Sequence, residues 1–173
     1  MTKQIAVFVG SASSTSISQI VARYLQSVAP QSIRLNFVEI GDLPLYDRDS
    51  DGQNIAQYAR VREAVEKADG VLLISPEHNG GVSAMLKNAI DVASRPMGQS
   101  KWPGKPAGGV RVTDQLRTIC SGAFINMPVA PFAANVGGVF NGVLNERGEI
   151  VSEAVQSMLQ NFINAYADFV ARF

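Results

Sequence analysis

Two stretches of the chain concentrate groups that can do chemistry. Between Gly10 and Ser18 stand six hydroxyl side chains, Ser11, Ser13, Ser14, Thr15, Ser16 and Ser18, with no lysine or arginine among them. They lie between an apolar run and a helical pattern. A helix N-terminus placed there offers unpaired N–H groups and the positive end of the helix dipole to an anion. Hydroxyls and amides together can satisfy every oxygen of a terminal phosphate without a buried cation. A helix cap needs one such hydroxyl; six exceed that need. The second stretch is Ser75-Pro76-Glu77-His78-Asn79-Gly80-Gly81, a run of turn formers holding the only histidine. As a lone histidine, His78 reads first as a polar loop residue without a proton role, and Glu77 as a loop-edge contact rather than an acid or base. Cys120, the single cysteine, falls in the helical stretch Gln115–Phe124 and reads as core packing, not as a nucleophile.

The elements that must hold these loops follow from hydrophobic periodicity. Gln4–Val9 and Val71–Ile74 are continuous apolar runs, as suits strands covered on both faces. Ile33–Ile40 alternates apolar and polar residues and predicts a half-buried strand. Helical spacing marks residues 17–28, closed by Pro30, then 55–68, 82–93, stopped by Pro96, about 113–124, and a C-terminal helix through Val155, Leu159, Phe162, Tyr166 and Val170. Asp42–Gly52 is a turn-rich loop, and Lys101–Pro106 a Pro/Gly loop with the only tryptophan. Met127–Ala133 is expected to hold a strand and Asn135–Gly148 a loop. Alternating strands and helices imply a parallel sheet with helices on both faces. Ligands of such sheets bind beyond the carboxyl ends of the strands, where strand order reverses. The two unusual loops follow the first and third strands, so that is where they belong.

Composition narrows the class. The 173 residues predict a single domain, 1–173, with 46% hydrophobic and 17% charged residues. Zero net charge gives no electrostatic reason to seek nucleic acid or an anionic membrane. The single cysteine fits a reducing compartment, and the short apolar start and lack of long apolar runs point to a cytoplasmic protein. Spacing excludes other phosphate and hydrolase loops. There is no G-x-G-x-x-G, no G-K-[ST] and no G-x-S-x-G. Acidic residues of a receiver domain are missing after the first strand.

The second stretch, followed by Leu86-Lys87-Asn88-Ala89-Ile90-Asp91 and Ser94-Arg95-Pro96, resembles the NADPH-dependent FMN reductase family, whose pattern is P-E-Y-N-(G/Y)-S, L-K-N-A-(I/L)-D, S-R-P. Gly10-Ser11 with Ser16 resembles that family's phosphate loop, and Asp42-Leu43-Pro44-Leu45-Tyr46 its D-L-P-L-Y segment. The resemblance covers about residues 4–133. It implies a flavodoxin-like, doubly wound, five-stranded parallel sheet of order 2-1-3-4-5, with FMN and NAD(P)H as cofactors. Carried over residue by residue, the cofactor-binding positions are Ser11, Ser13, Ser16, Ile17 and Ser18 for the phosphate, and Pro76, Glu77, His78, Asn79 and Gly80 beside the isoalloxazine ring. No metal is implied, and no catalytic side chain is required, because the flavin carries the chemistry. The expected activity passes a hydride from NAD(P)H through FMN to a small acceptor: a quinone, an azo compound, a metal oxyanion or free flavin. An FMN-binding electron carrier and a degenerate member without flavin are the alternatives. The resemblance, with apolar residues expected to be exposed on the third helix and the loop after it, implies a homodimer or homotetramer.

Four departures stand out. The family's loop arginine is Ser13 here and its asparagine Ser18, and its tyrosine is His78. The largest lies near Ala107, where Gly104-Lys105-Pro106-Ala107-Gly108-Gly109-Val110 runs almost directly into Arg111-Val112-Thr113-Asp114. A central strand and its loop read as shortened by roughly ten residues relative to the family pattern. Because losing a central strand leaves the ladder groups of two neighbours unpaired, the expectation is a break in the chain near Ala107–Gly109.

Overall fold

A computed structural model describes residues 1–136 and 142–173; residues 137–141, within the predicted loop Asn135–Gly148, lie outside the described residues. The elements are β1 (Lys3–Val9), α1 (Ile17–Ser27), β2 (Ile33–Val38), α2 (Ala56–Lys67), β3 (Gly70–Ile74), β4 (Glu77–His78), β5 (Gly81–Val82), α3 (Ala84–Ala93), β6 (Ala107–Val110), α4 (Thr113–Ser121) and α5 (Glu153–Val170). The main sheet is parallel, in the order β2-β1-β3-β6. The winding direction reverses between β1 and β3, whose ends meet at Val9 and Ile74.

Alternation along the strands builds two cores. Ile5, Val7 and Val9 of β1 face α1 and α5, in a cluster with Leu25, Leu72, Leu159, Ile163 and Tyr166. Ala6 and Phe8 face α2, α3 and α4, with Tyr58, Val61, Leu73, Leu86, Ile90 and Leu116. This two-sided burial is why β1 and β3 read as unbroken apolar runs. Trp102 is buried in the second cluster against Phe8 and donates Nε1–H to Ile90 O at 2.9 Å. Cys120 is buried there too, as core packing requires.

The expectation of a break in the chain near Ala107–Gly109 is overturned, and the strand read as shortened is present. Residues Ala107–Val110 pair in register with Val71–Ile74. The backbone bonds continue at both ends, from Val71 N to Pro106 O at 2.9 Å and from Ser75 N to Val110 O at 3.2 Å. Ala-Gly-Gly-Val has weak strand propensity, so the sequence concealed it. A packing demand explains the composition: a Cβ built on Gly108 would lie 2.7 Å from the Tyr166 ring. What is short is the connection that follows. Only Arg111 and Val112 separate β6 from α4, and both are left-handed, with φ of 61° and 47°.

Two other expectations need correction. The strand expected within Met127–Ala133 is present only as isolated parallel bridges, Ala107 to Val129 and Val110 to Ala134, so the main sheet has four strands among the described residues. And α3 has no large exposed apolar face: Leu86, Ala89, Ile90, Val92 and Ala93 are buried within the chain, leaving Met97 beyond the helix exposed.

Candidate functional site

The loop after β1 is shaped by hydrogen bonds within its own segment. Ser16 caps α1, its Oγ accepting from Gln19 N at 3.2 Å. Thr15 N donates to Ser13 Oγ at 3.3 Å, Ser16 N to Ser13 O at 3.1 Å, and Gln19 Nε2 to Ser11 O at 3.3 Å. These bonds fold the segment back on itself. They leave the amides of Ile17 and Ser18 and the hydroxyls of Ser11, Ser14 and Ser18 with no partner among the described residues. Ser16 and Ser18 are buried, Ser11 and Ile17 half-buried, and Ser13, Ser14 and Thr15 exposed. A cleft of about 410 Å³ opens beside Ser11 and Ala12, bordered by Gln19, Val38, Gly41 and Met85.

Beyond β3 the expected loop is a β-hairpin. Glu77 pairs with Val82 and His78 with Gly81. Asn79 and Gly80 form the turn, both at positive φ, 52° and 76°. Asn-Gly is the favoured pair for such a turn because both of its central residues must be left-handed. Buried Ser75 anchors the hairpin base: its Oγ donates to Pro76 O at 2.7 Å and accepts from Ser83 N at 3.1 Å. Ser83 in turn caps α3 by accepting from Leu86 N at 3.2 Å. Pro76 is half-buried; Glu77, His78, Asn79 and Gly80 are exposed.

The two loops meet at Gly10. Its N–H donates to Ile74 O at 2.8 Å. A Cβ at Gly10 would lie 2.9 Å from Leu86 Cβ and 3.5 Å from Pro76 Cδ, and would collide with Ser83 Oγ. Glycine is therefore what lets the first loop pass beside the third. A second cleft, of about 300 Å³, lies between the hairpin and the start of α4, bordered by Glu77, Gly80, Arg111, Gln115 and Asn135. There Arg111 Nη2 stands 3.7 Å from Glu77 Oε2.

The remaining motif residues support the site. Asn88 Nδ2 donates to Pro44 O and its Oδ1 accepts from Tyr46 N, both at 2.9 Å. Tyr58 OH donates to Leu45 O at 3.1 Å. The D-L-P-L-Y segment is thus tied to the L-K-N-A-I-D helix, which explains why the two motifs occur together. Lys87 and Asp91 form a half-exposed pair at 2.7 Å, a surface pair one helical turn apart. Sequence reasoning missed Ser75, Ser83 and Gln115. Their roles are contacts across 8 to 33 positions, which no local pattern signals.

Comparison with known proteins decides the family. The sequence profile of NADPH-dependent FMN reductases matches residues 4–141. The chain belongs to that family. A quinone reductase from Pseudomonas putida is 38% identical over 178 aligned positions, covering 96% of this chain and 94% of the relative. A 2-hydroxy-1,4-benzoquinone reductase from Burkholderia is 35% identical, covering 98% and 97%. Among solved structures, the flavoenzyme NAD(P)H:(acceptor) oxidoreductase FerB from Paracoccus denitrificans superposes with a TM-score of 0.83 at 30% identity, with 98% of each chain covered. This FMN reductase family member therefore has the flavodoxin-like α/β fold and is an NAD(P)H-dependent oxidoreductase with FMN as its flavin. The donor set agrees: hydroxyls and helix-start amides, with no carboxylate from Gly10 to Ser18, suit a dianionic phosphate. No helix among the described residues is long and apolar enough to cross a membrane.

Proposed function

We propose that this protein passes a hydride from NAD(P)H through FMN to a small acceptor, quinones foremost. The observation that carries the reading is the meeting, at Gly10, of the hydroxyl-rich loop with Pro76 and Ser83 at the base of the Asn79-Gly80 hairpin, on the neighbouring ends of β1 and β3. FMN, when bound, supplies hydride acceptance and onward electron transfer. The chain supplies binding and orientation. Ser11, Ser13, Ser16, Ile17 and Ser18 hold the phosphate through hydroxyls and the free amides at the start of α1. Pro76, Glu77, His78, Asn79 and Gly80 border the ring, where the exposed hairpin offers its main-chain amides and Gly80 adds no side chain. The exposed setting of that hairpin suits acceptors admitted by shape and redox chemistry rather than by discrete contacts.

Quinone preference is supported by the names of the relatives from Pseudomonas putida and Burkholderia. Exposed Leu45 and Met97, at 78% and 60%, support self-association into a homodimer or homotetramer, and the lone cysteine suits the cytoplasm. The reading is tested by titrating the protein with FMN and with riboflavin, then with Ser11→Asp. A carboxylate in the hydroxyl cluster should weaken FMN by more than about tenfold through like-charge repulsion and leave riboflavin nearly unchanged. Equal effects on both ligands would place the phosphate elsewhere. Turnover with 1,4-benzoquinone, an azo dye and chromate under the same NADPH supply then ranks the acceptors, with the quinone expected first.

A further inference from the structure

The hairpin beside the ring is not self-supporting. Two strands of two residues each are too short for independent stability. Its base is pinned by Ser75. Its outer part is held by the first turn of α4 and by Arg111 just before that helix. Val82 N donates a short hydrogen bond to Gln115 Oε1, and Glu77 on the opposite strand faces Arg111 at 3.7 Å. Each strand thus has one tie to the same helix start. The tie through Gln115 is the stronger, since 3.7 Å is an ion pair without a hydrogen bond. Gly81 is matched to it, because a Cβ there would stand 3.3 Å from Gln115 Oε1. Glu77, Arg111 and Gln115 also border the 300 Å³ cleft.

We propose that Gln115 is a positioning residue for the flavin ring: by holding Val82 N, it sets the hairpin at the distance from which residues 77–80 meet the ring. The inference rests on the FMN reading above. A second observation explains why the tie matters in this chain. With only Arg111 and Val112 between β6 and α4, α4 starts directly against the hairpin, and its side chains do the holding.

The test compares wild type, Gln115→Met and Gln115→Glu. Methionine keeps length and helix propensity but removes the acceptor; glutamate keeps an acceptor oxygen. Hydrogen exchange at the Val82 amide should accelerate about fivefold or more in Gln115→Met and stay slow in Gln115→Glu, the ratio matching one hydrogen bond of ordinary net strength. The dissociation constants of both FMN and riboflavin should rise by a similar factor in Gln115→Met, with the visible circular dichroism of the bound flavin altered and Tm nearly unchanged. Faster Val82 exchange with unchanged flavin affinity and dichroism would overturn the inference and leave Gln115 a purely structural tie. Unchanged Val82 exchange would overturn it as well. Failure of the wild type to bind FMN would instead overturn the functional reading beneath it.

Discussion

Gly108 lacks a side chain where the ring of Tyr166 crosses the sheet: a Cβ on Gly108 would lie 2.7 Å from Tyr166 Cδ2 and 2.8 Å from Cε2. Tyr166 is fully buried, and its hydroxyl donates to Val71 O at 2.8 Å, with Pro106 O at 3.3 Å. It locks the entry of β3 to the entry of β6 from the α5 side. Gly108→Ala should therefore destabilise the fold by about 1–3 kcal/mol, as overpacking does. Tyr166→Phe should cost about 1 kcal/mol by removing the hydroxyl. Urea denaturation of the two variants checks both values.

The same pair shows what a sequence can and cannot disclose. Apolar runs at Gln4–Val9 and Val71–Ile74 exposed the central strands, because burial on both faces writes itself into local composition. The β6 strand was hidden because its composition answers to Tyr166, about sixty positions away, and not to strand propensity. At the site, the hydroxyl loop and the Asn79-Gly80 turn were legible, since each follows from local backbone demands. The contacts of Ser75 with Ser83 and of Gln115 with Val82 were not, since nothing beside either residue in sequence requires its partner.

Cys120 supplies a pH test. Burial pushes its thiol up from 9.0 to about 12. The unfolded chain then loses this proton first, so between pH 9.0 and about 12 it binds fewer protons than the folded chain. The stability linked to this thiol is present in full below that window and is lost as pH rises through it. Cys120→Ala should give a shallower decline of stability with pH over that range than wild type, whatever its stability at neutral pH. An aromatic disulfide reagent should label native Cys120 only as fast as the chain opens.

Val112 stands at φ 47°, ψ 35°, a left-handed conformation that is costly for a β-branched residue. Val112→Gly should relieve that strain and raise stability by about 1 kcal/mol, the gain being reduced by the larger entropy glycine loses on folding. A higher Tm by calorimetry is the expected outcome; a lower one would show that Val112 packing outweighs its backbone strain.

Gly80, at φ 76° with no atom near its missing Cβ, needs glycine for its backbone and not for space. Gly80→Val should strain the turn by about 1–2 kcal/mol and loosen the hairpin, while Tm changes little because the hairpin lies outside the main sheet. Binding of riboflavin, which lacks a phosphate, should weaken together with FMN, as expected for damage at the ring side. Loss of FMN affinity alone would contradict that placement.

The most direct measurement is the visible absorbance of the purified protein with FMN under anaerobic conditions, before and after NADPH and again after a quinone. The flavin band should bleach on addition of NADPH and return on addition of 1,4-benzoquinone, with both changes requiring the protein. A band that neither shifts when protein is added nor bleaches with NADPH or NADH would contradict the account.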